Sequence, residues 1–271
     1  YSHHTEKGNS FMSIREAAVA GLFYEADPAR LKAQLAGFLS SSLAQAVARP
    51  KVLIVPHAGY VYSGSTAASA YSQLEPLRDE IQRVVLLGPA HRVYLQGMAL
   101  PSVDAFATPL GEVPLERAAL DAISTMPGVC ISDEAHREEH SLEVQLPFLQ
   151  TLLTSFSLLP VVVGDCDPER VGAVLDALWG GPETLVVIST DLSHFHSYEE
   201  ACEIDASTCA RILQKSTGLS GAEACGARAL NGLMSARHCQ DMKVDLLAAC
   251  NSGDTAGDRG RVVGYGAFQL S

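Results

Sequence analysis

Long hydrophobic runs are missing from this chain. The longest apolar stretches, such as Leu158 to Val163, fall far short of the roughly 20 residues that span a bilayer. No basic segment followed by an apolar core opens the sequence, so neither a leader nor a membrane anchor is expected. Charge is sparse and one-sided: 18% of residues are charged, with 19 Lys plus Arg against 31 Asp plus Glu and a formal charge of −12. Binding to nucleic acid or to anionic lipid needs clustered Lys and Arg, so neither is an expected partner. The seven cysteines include no CxxC pair and no even ladder of spacings, which excludes a zinc knuckle and a secreted disulfide framework and points to a reducing cytoplasm. Gly226 and Gly232 form neither a P-loop nor a dinucleotide fingerprint, and no G-x-S-x-G elbow occurs. Nucleotide-dependent and esterase chemistry have no motif here.

What is present is apolar and alternating. With 271 residues, 47% of them apolar, the chain can bury a core without a disulfide or metal staple. Short β-branched runs at Lys51–Val55, Arg83–Leu87, Leu158–Val163 and Thr184–Ser189 read as buried parallel strands. Helices are expected over Ala29–Leu39 behind the cap Asp27-Pro28, and over Ser65–Leu74, Leu115–Ile123, Leu142–Leu153, Pro168–Leu178 and Ala222–Ala236. Met242–Ala249 and Arg261–Phe268 read as closing strands, and Met98–Pro114 and Gly128–His140 as long loops. The predicted fold is α/β: one compact domain over residues 12–271, with a central, largely parallel sheet flanked by helices on both faces. Residues 1–11 read as a polar tail or a remnant of added sequence, and their histidines are left out of any site.

In open α/β sheets, ligands gather beyond the carboxyl ends of the strands. Three predicted strands each deliver a histidine there: His57, His91 and His194. Imidazole is the commonest ligand of zinc, iron and copper and the usual proton shuttle near neutral pH. Asp191 is placed to fix a neighbouring tautomer by accepting the second ring N–H. His196 reads as a surface residue. Two imidazoles call for an anionic third ligand, for which Glu143, Asp191, Cys225 and Cys250 are candidates. Cys225 lies near a predicted helix start, where a thiolate is favoured over a thiol.

His136-Arg-Glu-Glu-His140 fits the H-x-x-E-H template of inverted zinc peptidases. That template needs one continuous helix, whereas Ser141 reads as a helix cap that leaves His136 in the preceding loop. His140 and Glu143 are expected to join the strand-end rim as acid/base groups, and Arg137 to Glu139 to form a solvated charged loop.

The motifs run on from Gly21-Leu-Phe-Tyr24 through Pro56-His-Ala-Gly-Tyr-Val-Tyr-Ser-Gly64 and Gly88-Pro-Ala-His91. They continue with Glu139-His-Ser-Leu-Glu143, Ser189-Thr-Asp-Leu-Ser-His194, Ala224-Cys-Gly226 and Asn251-Ser-Gly-Asp254. Together they resemble the Memo family, the B component of the AmmeMemoRadiSam system. That family is similar to class III extradiol dioxygenases, with a non-heme iron site at the strand ends. The resemblance implies His57 and His91 as metal ligands, with Cys225 where the dioxygenases have a carboxylate. It implies His194 as acid/base, His140 as a pocket residue, Asp191 as an orienting group, and Phe23, Tyr60 and Tyr62 as aromatic walls. Fe(II) is the expected ion, and the thiolate also suits copper or zinc. Two functions follow: a redox or oxygenase-type metalloenzyme, or a non-catalytic module that holds a peptide or protein in the same cleft. An AMMECR-type protein and a radical SAM enzyme are the implied partners.

Overall fold

The computed structural model describes residues 12–42 and 48–271, so the tail expected over residues 1–11 lies outside the described residues. Strands are β1 (Ile14–Arg15), β2 (Val52–Val55), β3 (Arg83–Pro89), β4 (Met98–Leu100), β5 (Ala105–Thr108), β6 (Gly111–Pro114), β7 (Val129–Ile131), β8 (Ser157–Val163), β9 (Thr184–Ser189), β10 (His194–His196), β11 (Val244–Asn251) and β12 (Val262–Leu270). Helices are α1 (Pro28–Ser40), α2 (Tyr60–Tyr71), α3 (Arg117–Ile123), α4 (Asp133–Arg137), α5 (His140–Glu143), α6 (Leu146–Leu152), α7 (Pro168–Leu178), α8 (Tyr198–Leu213) and α9 (Ala227–Ser235).

The four β-branched runs form the centre of the main sheet. Strands β2, β9, β3 and β8 lie side by side and parallel. Every residue of β2 and β9 is buried. Because successive side chains point to opposite faces, both faces of this centre are covered, as continuous apolar strands require. The flanks are mixed: β12 is antiparallel to β2, and β4 to β8. Strands β10 and β11 add to β12, and β7 adds to β4. A separate three-stranded sheet orders β1-β5-β6.

Two of the expected loops therefore carry structure. Met98–Pro114 holds β4, β5 and β6, and Gly128–His140 holds β7 and α4. These strands are short, and their pairing partners are remote in sequence, so no local periodicity marks them. The single helix expected over Leu142–Leu153 is two pieces. Pro147 lacks an N–H, and its ring clashes with the carbonyl four residues back, so it sits in the first turn of α6 instead of continuing α5. Helix α8 was not expected at all. Its buried face is Ala201, Asp205, Thr208, Cys209 and Ile212, too polar to read as an apolar stripe. Among the described residues, no helix is long and apolar enough to cross a membrane. All seven cysteines are free.

Candidate metal centre

The strand order makes the site. Strand β9 lies between β2 and β3, so the segments beginning at Pro56, Ala90 and Thr190 leave the sheet as neighbours. His57, His91 and Cys225 bring one ligand atom each to within 4.8 Å of one another. Cys225 arrives from the turn just before α9, with its Sγ 3.3 Å from His57 Nε2. The Asp191 amide donates to that sulfur at 3.3 Å. Asp191, His194 and Cys225 form a second, overlapping group of this kind, and His91, Glu139 and His140 a third.

Both histidines are oriented through Nδ1. The Ser189 hydroxyl spends its one proton on the Ser141 carbonyl at 2.7 Å. It therefore accepts from His57 Nδ1–H at 2.8 Å, as it does from Gln145 Nε2 at 3.0 Å. His91 Nδ1 lies 2.9 Å from Glu139 Oε2, and the His91 backbone N–H donates to Glu139 Oε1. A carboxylate accepts only, so Nδ1 carries the proton here too. In each ring Nε2 is left as the lone-pair nitrogen, the arrangement that metal-ligating imidazoles adopt.

Burial sets the charge states. His57 is almost wholly buried; desolvation, with His91 alongside, holds it well below the usual imidazole range. His140 stacks on His91 with ring centroids 4.7 Å apart, and burial with its two histidine neighbours lowers it to about 4. Burial alone would raise Glu139, but donation from His91 and Ser141 prevails and brings it to about 2. Burial raises Asp191 above its ordinary carboxylate value.

Several expectations are corrected. Asp191 does not set the His57 tautomer: its Oδ1 accepts from the His57 backbone N–H at 2.8 Å, and its Oδ2 lies 3.7 Å from Nε2, on the ligand side of the ring. Cys225 is not a stabilised thiolate. Helix α9 begins two residues later, and burial together with the Asp191 charge pushes the thiol up to about 12. Glu143 is absent from the cleft; Arg15 Nη1, the amides of Ala18 and Val19 and the Tyr24 hydroxyl occupy its carboxylate. Cys250 lies apart, 3.0 Å from Thr66 Oγ1. Tyr60 is buried and donates its hydroxyl to the Val144 carbonyl. Phe23 does line the site, its ring centroid 4.5 Å from that of His140, and Tyr62 is partly exposed.

The peptidase template also dissolves. Helix α4 ends at Arg137 and α5 begins at His140, and His136 Nε2 is 2.8 Å from the Ala99 carbonyl. The cap of α5 is Glu139, whose side chain accepts from the Ser141 N–H; Ser141 itself lies inside the helix. Glu139, expected in a solvated loop, is 2% exposed. It and Ser189 are the functional residues that the sequence reading missed. A carboxylate two residues before a helix-entering amide was the available signal for Glu139. His196 faces Glu200 at the surface, as expected.

An α/β sheet whose neighbouring strand ends converge two oriented imidazoles and a thiol defines a protein with a candidate metal cleft. The chain belongs to the Memo family: the Memo-like protein family matches residues 15–269. It is 36% identical over 266 residues to a MEMO1 family protein of Aquifex aeolicus, covering 94% of this chain and 98% of that one. It is 35% identical over 274 residues to MEMO1 family protein MTH_45 of Methanothermobacter thermautotrophicus, covering 93% and 98%. The crystal structure of uncharacterized protein JW3007 from Escherichia coli K12 shares the fold, with a TM-score of 0.52 at 12% identity, covering 82% of this chain and all of that one.

Proposed function

We propose that the cleft holds one transition-metal ion between His57 Nε2, His91 Nε2 and Cys225 Sγ, and that the protein performs metal-dependent redox or oxygenase-type chemistry there. One observation carries this reading: both imidazoles are tied down at Nδ1, leaving two Nε2 lone pairs beside a single sulfur. The donor set fits the group. Two nitrogens and a soft sulfur suit iron, copper or zinc and are wrong for magnesium or calcium. Fe(II) is the first choice, on the expected similarity of the Memo family to the extradiol dioxygenases. Bound there, iron or copper would supply one-electron chemistry and a Lewis-acid position. His194, partly exposed and grouped with Asp191 and Cys225, is the residue to take up or release a proton. His140, neutral near pH 7, offers a hydrogen bond without a charge, and Asp191 orients the His57 loop through the backbone N–H. The proposal extends to a small molecule or peptide in the cleft and to an AMMECR-type protein and a radical SAM enzyme as partners.

Anaerobic reconstitution with Fe(II), Cu(I) or Zn(II), followed by elemental analysis, is the test. About one ion per chain is expected for a three-ligand site, with loss of the ion in His57→Ala. A wild-type chain that retains none of the three, or a His57→Ala variant that retains it fully, would sink the reading.

A further inference from the structure

Phe195 departs from two rules together. It is a large apolar side chain left 60% exposed, and its backbone lies at φ +68°, in the left-handed region that favours glycine. The pairing register shows why. His194 faces Val263 and His196 faces Val262, so Phe195 is the extra residue of a β-bulge between β10 and β12. Bulges of this kind usually carry glycine at the left-handed position and serve to re-aim a side chain. No burial compensates for the phenylalanine.

The ring instead meets two functional groups. The His194 ring centroid is 5.6 Å away in an edge-on arrangement, and the Arg261 guanidinium carbon lies 4.7 Å from the Phe195 centroid. Arg261 is exposed, and among the described residues it makes no ion pair, although the chain carries an excess of twelve negative charges. Since His194 is grouped with Asp191 and Cys225, the Phe195 ring, with the Arg261 guanidinium over it, lies beside a residue of the His-rich cleft.

We propose that Phe195 and Arg261 form the specificity element of this cleft, and that its ligand is an apolar or aromatic carboxylate. The ligand's flat group would lie against Phe195 while its carboxylate engages the Arg261 fork. Guanidinium binds carboxylate through paired N–H donors, and it does so most selectively where no protein carboxylate competes. With Arg261 over one face of the ring, the ligand's flat group would meet its remaining exposed surface, which the bulge holds in place. The His194 ring beside it would bring such a ligand within reach of the residue proposed to move protons. The inference rests on the cleft being the ligand site, not on which ion it holds.

Fluorine NMR titration of the metal-free full chain tests this, using 4-fluorophenylacetate and its neutral counterpart 4-fluorophenylethanol as probes. The acid is expected to bind more tightly than the alcohol. Phe195→Gly should weaken both by about tenfold, the size of one lost aromatic contact. Arg261→Gln should weaken the acid alone, to the level of the alcohol. Thermal melts add a readout that a packing role would move the other way: Phe195→Gly should melt at or above the wild-type midpoint, because glycine accepts φ +68° freely. A lower midpoint with unchanged probe binding would overturn the proposal, as would equal affinity of wild type for acid and alcohol. Both variants should take up metal at the wild-type level on reconstitution. A wild-type chain that fails to bind metal therefore counts against the proposed function and leaves this binding result intact.

Discussion

Glu139 shows how much one side chain can organise. Its two oxygens receive the backbone N–H and Nδ1–H of His91 and the N–H of Ser141, so a single carboxylate sets a tautomer, places a ring and caps α5. Held at about 2, it keeps its charge across the physiological range. Glu139→Gln keeps the shape but removes the charge and one acceptor. Metal affinity, measured by competition with a chromophoric chelator, should fall about 10- to 100-fold, as is usual when a partner of a ligating histidine is lost. Unchanged affinity would show that His91 is oriented without it. His57 and His91 were legible because each lies within four residues of the end of a β-branched run, whereas His194, expected at a strand end, instead opens β10, five residues beyond β9. Glu139 was not, because in sequence it sits among Arg137, Glu138 and His140 and looks like part of a charged loop. Only the fold encloses it.

Among the elements, the junction of Gly226, just before α9, with the end of β9 decides where Cys225 stands. Gly226 has φ −92°, so it is required for space and not for backbone conformation. A Cβ there would lie 2.7 Å from both the Ser189 carbonyl oxygen and the Thr190 Cβ. Its N–H donates to Thr190 Oγ1 at 2.8 Å, which fastens the helix entrance to the strand end. Gly226→Ala should therefore push Cys225 away from His57. Urea unfolding is expected to show a loss of about 1–3 kcal/mol, typical of overpacking, together with weaker metal retention. Gly221→Ala is the control, since a Cβ there meets nothing within 4 Å and should stay within roughly 0.5 kcal/mol of wild type. Equal behaviour of the two variants would remove the steric argument. The central strands and the Pro-capped helices α1 and α7 were readable because their signals are local. The boundary of α9 was not: the pattern predicts a start at Ala222, whereas the helix starts at Ala227, one residue after Gly226 is fastened to Thr190 beyond β9.

Across the whole molecule, the buried Arg15–Glu143 pair ties the first strand to the segment beneath the cleft. Arg15 donates to Glu143 Oε1 and to the carbonyls of His136 and Glu139. Glu143 in turn receives Ala18, Val19 and Tyr24. Residues 15–24 thus lock the loop that carries Glu139 and His140. Glu143→Gln would leave a buried guanidinium unpaired, at a cost of about 3–5 kcal/mol. Urea unfolding monitored at the single Trp179 should show the midpoint falling with an unchanged slope. A shift below about 1 kcal/mol, the range of exposed pairs, would mean that the lock carries little of the stability.

The sequence by itself determined the α/β class, the central strands and the histidines at their ends, since periodicity and strand-to-loop transitions are properties of adjacent residues. Tertiary structure decided the rest. The order β2-β9-β3 makes three distant strand ends neighbours, and partners remote in sequence fix the Nδ1 protons: Ser189 lies 132 residues from His57 and Glu139 lies 48 from His91. Enclosure in the fold drew Glu139 inward, committed Glu143 to Arg15 and held Cys225 as a thiol. Hydrogen-bond partners and desolvation depend on what surrounds a group in space, and the linear chain carries that information only after it has folded.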